Sequence, residues 1–262
     1  MLGNLIKFST GFKTVGAAYS ESIALLEALY LKQSWEKLKI ETFNSNLLKK
    51  RSNRWIGHHL QYFQMRYIYD HPPLPNWEYL SRYTYLVKSR QSQVQVLYQY
   101  ICETHPFVDR LMNGLVGENL RKYNVFRLTR SIFDDFLKEQ ALTHPEIEEW
   151  SGVTIDKFRS DFFILLRASG IMEKHPSLNV RKFIITSESF AFILYGLLDE
   201  SFTPSEILNS HIWRRYFISR VEIEQILAEC QVRGWLQFRS YGDISELVPR
   251  FASLGEWMDA IE

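Results

Sequence analysis

The densest set of residues able to do chemistry is the run KKRSNRW, in which Lys49, Lys50, Arg51 and Arg54 stand beside Trp55. Clustered cations next to an indole neutralise phosphates and stack on bases or sugars. The plainer alternative is a solvated helix face over a buried Trp55. A second run, WRRYFISR, carries Arg214, Arg215 and Arg220, which would grip a phosphate backbone if they flank a DNA-binding helix. Its alternative places Trp213, Tyr216 and Phe217 in the core with Arg214 and Arg215 snorkelling outward. The carboxylates Asp134 and Asp135, with Glu146, Glu148 and Glu149 further on, are of the type that holds a divalent metal in a nuclease. In a helix's first turns and a polar connection such groups are more commonly solvated, and solvated carboxylates are expected here.

Other chemistry finds no support. The twelve glycines are dispersed, with neither GxGxxG nor GxxxxGK[ST] to cradle a phosphate. His58 and His59 are adjacent and so point to different faces of a helix, while His71, His105, His144 and His175 each precede a proline. None of them pairs as a metal ligand, and Cys102 and Cys230 lie far apart without zinc-type spacing. No nucleophile elbow raises a serine or cysteine above the rest. The expectation is a protein that is not an enzyme, with no catalytic residue, no metal and no cofactor.

Charge is distributed unevenly behind a net of only +1. From Thr42 to Ile101 eight basic residues face Asp70 and Glu78, a local +6, whereas from Ser131 to Leu165 eight acidic residues face Lys138, Lys157 and Arg159, a local −5. A neutral total can therefore conceal a basic face. The 46% hydrophobic and 23% charged content fits an ordinary globular chain and excludes disorder. The longest apolar stretch, Phe190–Leu198, is about half of what a membrane-spanning helix needs. The N-terminus lacks the apolar core and cleavage site of a signal peptide. A cytoplasmic protein with no membrane contact is expected.

The elements that must position these residues are mostly helices. Apolar spacing predicts one helix from a cap at Ser20 through ESIALLEALYLKQSWEKLKIE and another over NLLKKRSNRWIGHHLQYFQMRY. The prolines of DHPPLPN then force a loop, followed by helices from Trp77 to Tyr123 with breaks at Thr104–Pro106 and near Gly114–Gly117, and by NVFRLTRSIFDDFLKEQAL. In the C-terminal half KFRSDFFILLRASGIMEK (157–174) lies over VEIEQILAECQVRGWLQF (221–238) at an offset of 64, matching Leu166 to Cys230, Gly170 to Gly234 and Ile171 to Trp235. Each copy reads as helix, glycine at a positive-φ cap, strand, and then a second strand, RKFIIT or ISELVPR. The expected fold class is mainly α: an N-terminal helical bundle, then a C-terminal half of winged-helix-like helix and hairpin units. The expected division is a helical domain over 1–144 and a winged-helix-like domain over 145–262, in up to two copies at about 150–186 and 200–250.

Three stretches together resemble the BrxA family of BREX bacteriophage-defence systems: YSESIALLEALYLKQSWEKLKIE with the basic NLLKKRS, then FDDFLKEQALTHPEIEEWS, then TIDKFRSDFFILLRASGIMEK. The resemblance implies a small non-enzymatic component of a multi-gene defence island, an N-terminal helical domain similar to RNA-binding antitermination factors, and DNA binding as its activity. It supplies no site residues. The functional expectation is therefore binding of nucleic acid, double-stranded DNA first and RNA second, through Lys49, Lys50, Arg51, Arg54, Arg214, Arg215 and Arg220. The alternative is an adaptor or scaffold docking the larger enzymes of the same system.

Overall fold

The computed structural model describes residues 7–241 and 244–262; residues 1–6, which open the stretch read above as no signal peptide, lie outside them. The fold is mainly α, as expected, with two small antiparallel sheets. No helix among the described residues is long and apolar enough to cross a membrane. The chain forms two compact units: one comprises the described residues up to Ala18 with Ile101–Phe183, the other Tyr19–Tyr100 with Ile184–Glu262. This course differs from the expected division near His144, which lies inside the first of these units. There its ring stacks on Phe8 at 3.8 Å and meets Glu146 at 3.3 Å.

The larger unit begins with α1 (Tyr19–Lys32), α2 (Trp35–Asn44), α3 (Asn53–Phe63), α4 (Trp77–Leu86) and α5 (Arg90–Thr104), the last running past the unit's limit at Tyr100. Where one helix was expected from Ser20, the chain breaks at Gln33, which takes φ 52°, and Ser34 caps α2 by accepting the Lys37 amide at 3.4 Å. The expected helix through KKRSNRW also starts later. Asn46 and Lys49 adopt positive φ, the Asn46 side chain accepts the Lys50 amide at 2.9 Å, and Ser52 caps α3 by accepting the Trp55 amide at 3.2 Å. Asn and Ser side chains bond nearby backbone and so compete with helix, which is why the basic residues stand on a turn.

In the smaller unit the helical run is continuous through α6 (Pro106–Arg110), a π-helical segment Leu111–Gly117 and α7 (Glu118–Tyr123), so the break expected near Gly114 does not occur. It continues with β1 (Val125–Arg127), α8 (Arg130–Ala141), α9 (Gly152–Ala168) and β2 (Asn179–Arg181). β1 and β2 pair antiparallel, and Met172 bridges Val180 from β2's other side, so the fully buried Val180 sits in the middle of a three-stranded patch. Phe8 against Phe107 and Phe12 against Phe158 join the N-terminal segment to the core beneath α9. The expected strand RKFIIT is confined to Arg181: residues 182–186 are irregular. The Ile184 carbonyl is taken by Gln95 at 2.7 Å and Gln95 in turn accepts the Thr186 amide at 2.9 Å, so these backbone groups have partners other than a strand.

The larger unit resumes with α10 (Ser187–Asp199), α11 (Pro204–Leu208), a 3-10 turn His211–Tyr216, α12 (Arg220–Val232), β3 (Leu236–Tyr241), β4 (Ile244–Pro249) and α13 (Leu254–Ile261). The apolar run Phe190–Leu197 of α10 is buried throughout, which accounts for its hydrophobicity as core. Gly196 lies so close to Pro75 that a Cβ there would fall 2.6 Å from the ring. β3 and β4 form a hairpin in the register Leu236↔Pro249, Phe238↔Leu247.

The 64-residue offset reappears in the hydrogen bonds. Gly170 (φ 78°) and Gly234 (φ 72°) both cap their helices in the left-handed region, where a Cβ is strained. The Ile171 amide reaches back to Leu166 O at 2.8 Å and the Trp235 amide to Cys230 O at 3.0 Å. The Ile171 carbonyl then accepts the Arg181 amide at 2.9 Å, as the Trp235 carbonyl accepts that of Arg250 at 3.1 Å.

Candidate nucleic-acid interface

All seven cations singled out in the sequence fall in the larger unit, and they differ in what they can reach. Lys49, Arg51 and Arg54 are exposed and have no carboxylate partner among the described residues. They stand before and on the first turn of α3, whose N-terminal end adds a partial positive charge from its aligned peptide dipoles. Lys50 is committed elsewhere: its Nζ lies 2.6 Å from Glu21 and 4.9 Å above the Trp55 ring. Trp55 is half-buried and stacks on His59 at 4.9 Å and 8°, so its outer edge alone is available to a ligand. His59 is 1% exposed with neither ring nitrogen hydrogen-bonded. Burial, with the nearby Arg66 charge, pushes its pKa down to about 4, so it is neutral beneath the turn.

The second run resolves mostly in favour of packing. Trp213 stacks on Phe190 at 4.4 Å and donates its indole N–H to Ile207 O at 2.6 Å; Tyr216 donates to Gln95 O at 2.9 Å. Arg215 is 5% exposed, its Nη1 donates to Gln99 Oε1 at 3.2 Å, and its carbonyl accepts the Tyr98 hydroxyl at 2.9 Å. It is a core residue and is withdrawn from the candidate interface. Arg214 is exposed, and Arg220 is half-exposed with Nε 2.9 Å from Glu224. Along α12 the outward residues include Val221 and Val232, 63% and 89% exposed, among Glu222, Glu224 and Glu229. That surface is apolar and acidic, unsuited to a phosphate backbone.

Of the acidic candidates, Asp134 and Asp135 are held by cations, whereas Glu148 and Glu149 are exposed. Asp134 lies 2.9 Å from Arg159 and 3.3 Å from Arg130, and Asp135 lies 3.0 Å from Lys138. Glu146 accepts the Phe8 amide at 2.7 Å, which holds its pKa below the usual carboxylate value. Among the described residues no three His, Cys, Asp or Glu side chains gather as a metal site. A cleft of about 450 Å³ between α8 and α9 is floored by Leu137, Ala141, Ile147 and Ile155 and rimmed by Glu148 and by the ion-paired Arg130, Asp134, Lys138 and Asp156.

One basic group went unnoticed in the sequence. Arg121 and Lys122 end α7, Arg127 lies on β1, Lys174 precedes β2 and Arg181 ends it. They come from segments some fifty residues apart in the chain, so no local run announced them.

The sequence profile of the BrxA family matches residues 6–195, close to three quarters of the chain. The chain belongs to the BrxA family. Membership makes it a component of a BREX bacteriophage-defence system, which implies protein partners within that system. The BrxA match spans both the Lys49–Arg54 turn and the β1–β2 sheet and ends inside α10, before Arg214 and Arg220. A crystal structure of an uncharacterized protein from Magnetospirillum magneticum is similar at a TM-score of 0.59 and 14% identity, covering 80% of this BrxA-family chain and 98% of that one. At that identity the likeness concerns the fold. No curated protein matches the chain.

Proposed function

We propose that this BrxA-family protein is a non-enzymatic, nucleic-acid-binding component of its defence system, acting in the cytoplasm on double-stranded DNA with little sequence preference. The observation that carries this reading is the turn before α3. Three cations there, Lys49, Arg51 and Arg54, are exposed, have no carboxylate partner among the described residues, and lie at the positive end of a helix. The exposed Arg214 adds a further cation to the same unit, whereas Arg220 is offset by Glu224. The helix–glycine–hairpin order of α9 and of α12 supports winged-helix-like units.

Phosphate contacts govern such binding, so affinity for a fluorescent 30-bp duplex should fall steeply as NaCl rises from 50 to 200 mM. A Lys49→Glu, Arg51→Glu, Arg54→Glu variant should lose affinity equally on unrelated sequences. Salt-insensitive binding, or none, overturns the reading, and cleavage of DNA with magnesium or manganese would overturn its non-enzymatic part.

The adaptor reading is favoured by one observation, the apolar α8–α9 cleft with Leu142 and Val153 exposed beside its lining in sequence. Direct binding of a purified BREX enzyme that is lost on Ala141→Phe, which fills the cleft, would support it.

A further inference from the structure

In the smaller unit the charges separate. Every cation of α8 and α9 outside the last turn of α9 is engaged by a carboxylate: Arg130 and Arg159 by Asp134 and Asp156, Lys138 by Asp135, Lys157 by Asp161. Around the β1–β2 sheet the opposite holds. Arg121, Lys122, Arg127, Lys174 and Arg181 are exposed, and none forms an ion pair among the described residues. The carboxylate nearest in sequence to the loop before β2, Glu173, is held by Ser177 Oγ at 2.8 Å and Asn179 Nδ2 at 3.1 Å, with the Arg181 charge only a minor influence on it.

The pairing explains how two of these cations, Arg127 and Arg181, share a surface. Val125 lies opposite Arg181, Phe126 opposite Val180 and Arg127 opposite Asn179. With Phe126 and Val180 turned inward, strand alternation puts Arg127 and Arg181 on one outer face as diagonal neighbours, about 7–8 Å apart. Tyr123, 64% exposed, and Val125 stand at its edge. Cations at the end of α7 favour the helix dipole, and charges on a sheet edge discourage strand addition. Neither effect requires five of them from three segments, left without acidic partners in a unit where the neighbouring helices pair theirs.

We propose that this sheet face is a second phosphate-contact surface for the duplex backbone, separate from the turn before α3 and carried by the other compact unit. It rests on the nucleic-acid reading above and extends it to residues that reading did not use.

The test is fluorescence anisotropy with a labelled 30-bp duplex between 50 and 200 mM NaCl, comparing full-length wild type with an Arg127→Ala, Lys174→Ala, Arg181→Ala variant and a Lys49→Ala, Arg51→Ala, Arg54→Ala variant. Each phosphate contact removed lowers the slope of log affinity against log salt by about 0.9, so each triple variant should lose about 2 to 3 in slope and bind about 10- to 100-fold more weakly at the lower salt. An Arg127→Lys, Arg181→Lys variant, which keeps the charge and fold, should retain the wild-type slope. The proposal is overturned if the sheet variant binds as wild type while the turn variant is impaired, a result that leaves the nucleic-acid reading standing. Wild type that binds no duplex removes both. Loss of binding to phosphatidylserine vesicles alone, with duplex affinity intact, would assign the face to a membrane surface and also overturn it.

Discussion

The segments around α9 and α12 share one local grammar and put it to different ends. Both end in a left-handed glycine, both turn the next residue's amide back to the carbonyl five residues earlier, and both offer that residue's carbonyl to the second strand. Around α9 the second strand gains β1 as a further partner, and the resulting patch exposes arginines. Around α12 the hairpin stays two-stranded, and its aromatic start is covered instead: Trp235 meets Trp257 of α13 edge-on at 5.5 Å, and Tyr195 of α10 donates its hydroxyl to the Trp235 carbonyl. A repeated cap therefore fixes the turn from helix to strand, while the element that completes each hairpin decides whether the unit displays charge or buries rings.

That contrast can be strained at its completing elements first. Trp257→Ala should cost about 3–5 kcal/mol, since it empties a fully buried site beneath the second hairpin. Phe126→Ala, beside the first hairpin, should cost about 3 kcal/mol. Urea midpoints measure both, and a larger loss at Phe126 would reverse the ranking of β1 and α13 as supports.

The matched positions Leu166 and Cys230 permit a pH test. Burial pushes the Cys230 thiol up to about 12 from its ordinary 9.0. Between those values the unfolded chain releases a proton that the folded protein retains, so this contribution is fully present below pH 9 and is lost as pH rises toward 12. The slope is about 1.4 kcal/mol per pH unit. Cys230→Leu, which installs the residue of the other copy, should abolish that increment, read as the difference between wild-type and variant stability at pH 8 and pH 10. Equal pH dependence would show that the thiol titrates normally.

Smaller effects follow at the caps. Gly170→Ala and Gly234→Ala should each cost about 1–2 kcal/mol through left-handed strain, and by similar amounts. The one close neighbour of a Cβ at Gly234 is the flexible end of Arg250, whereas Gly170 opens on empty space. Markedly unequal costs would mean the two caps are not equivalent. Smallest of all, Arg220→Ala should cost about 0.5 kcal/mol, because its pair with Glu224, one helical turn on, is partly solvent-exposed.

Legibility followed locality. The helical class, the loop at DHPPLPN and the glycine caps were readable because each rests on neighbouring residues. The placement of Lys49–Arg51 on a helix was not, because Asn46 and Ser52 redirected the backbone. Arg215 misled for another reason: its burial depends on Gln99, more than a hundred residues away. The β1–β2 cations were invisible because only strand pairing brings Arg127 and Arg181 to one face.

The course of the chain between the units bears on how it is made. Most of the smaller unit, Ile101–Phe183, is inserted within the sequence of the larger one. During synthesis the smaller unit has all its residues once Phe183 has left the ribosome, whereas α4 and α5 must wait for α10 and α13 before their inner sides are covered. Translation that stops after Phe183 would leave a finished unit attached to an unfinished one, with rings such as Tyr83, which packs on Phe192, and Tyr98, which packs on Tyr216, deprived of later partners and open to aggregation.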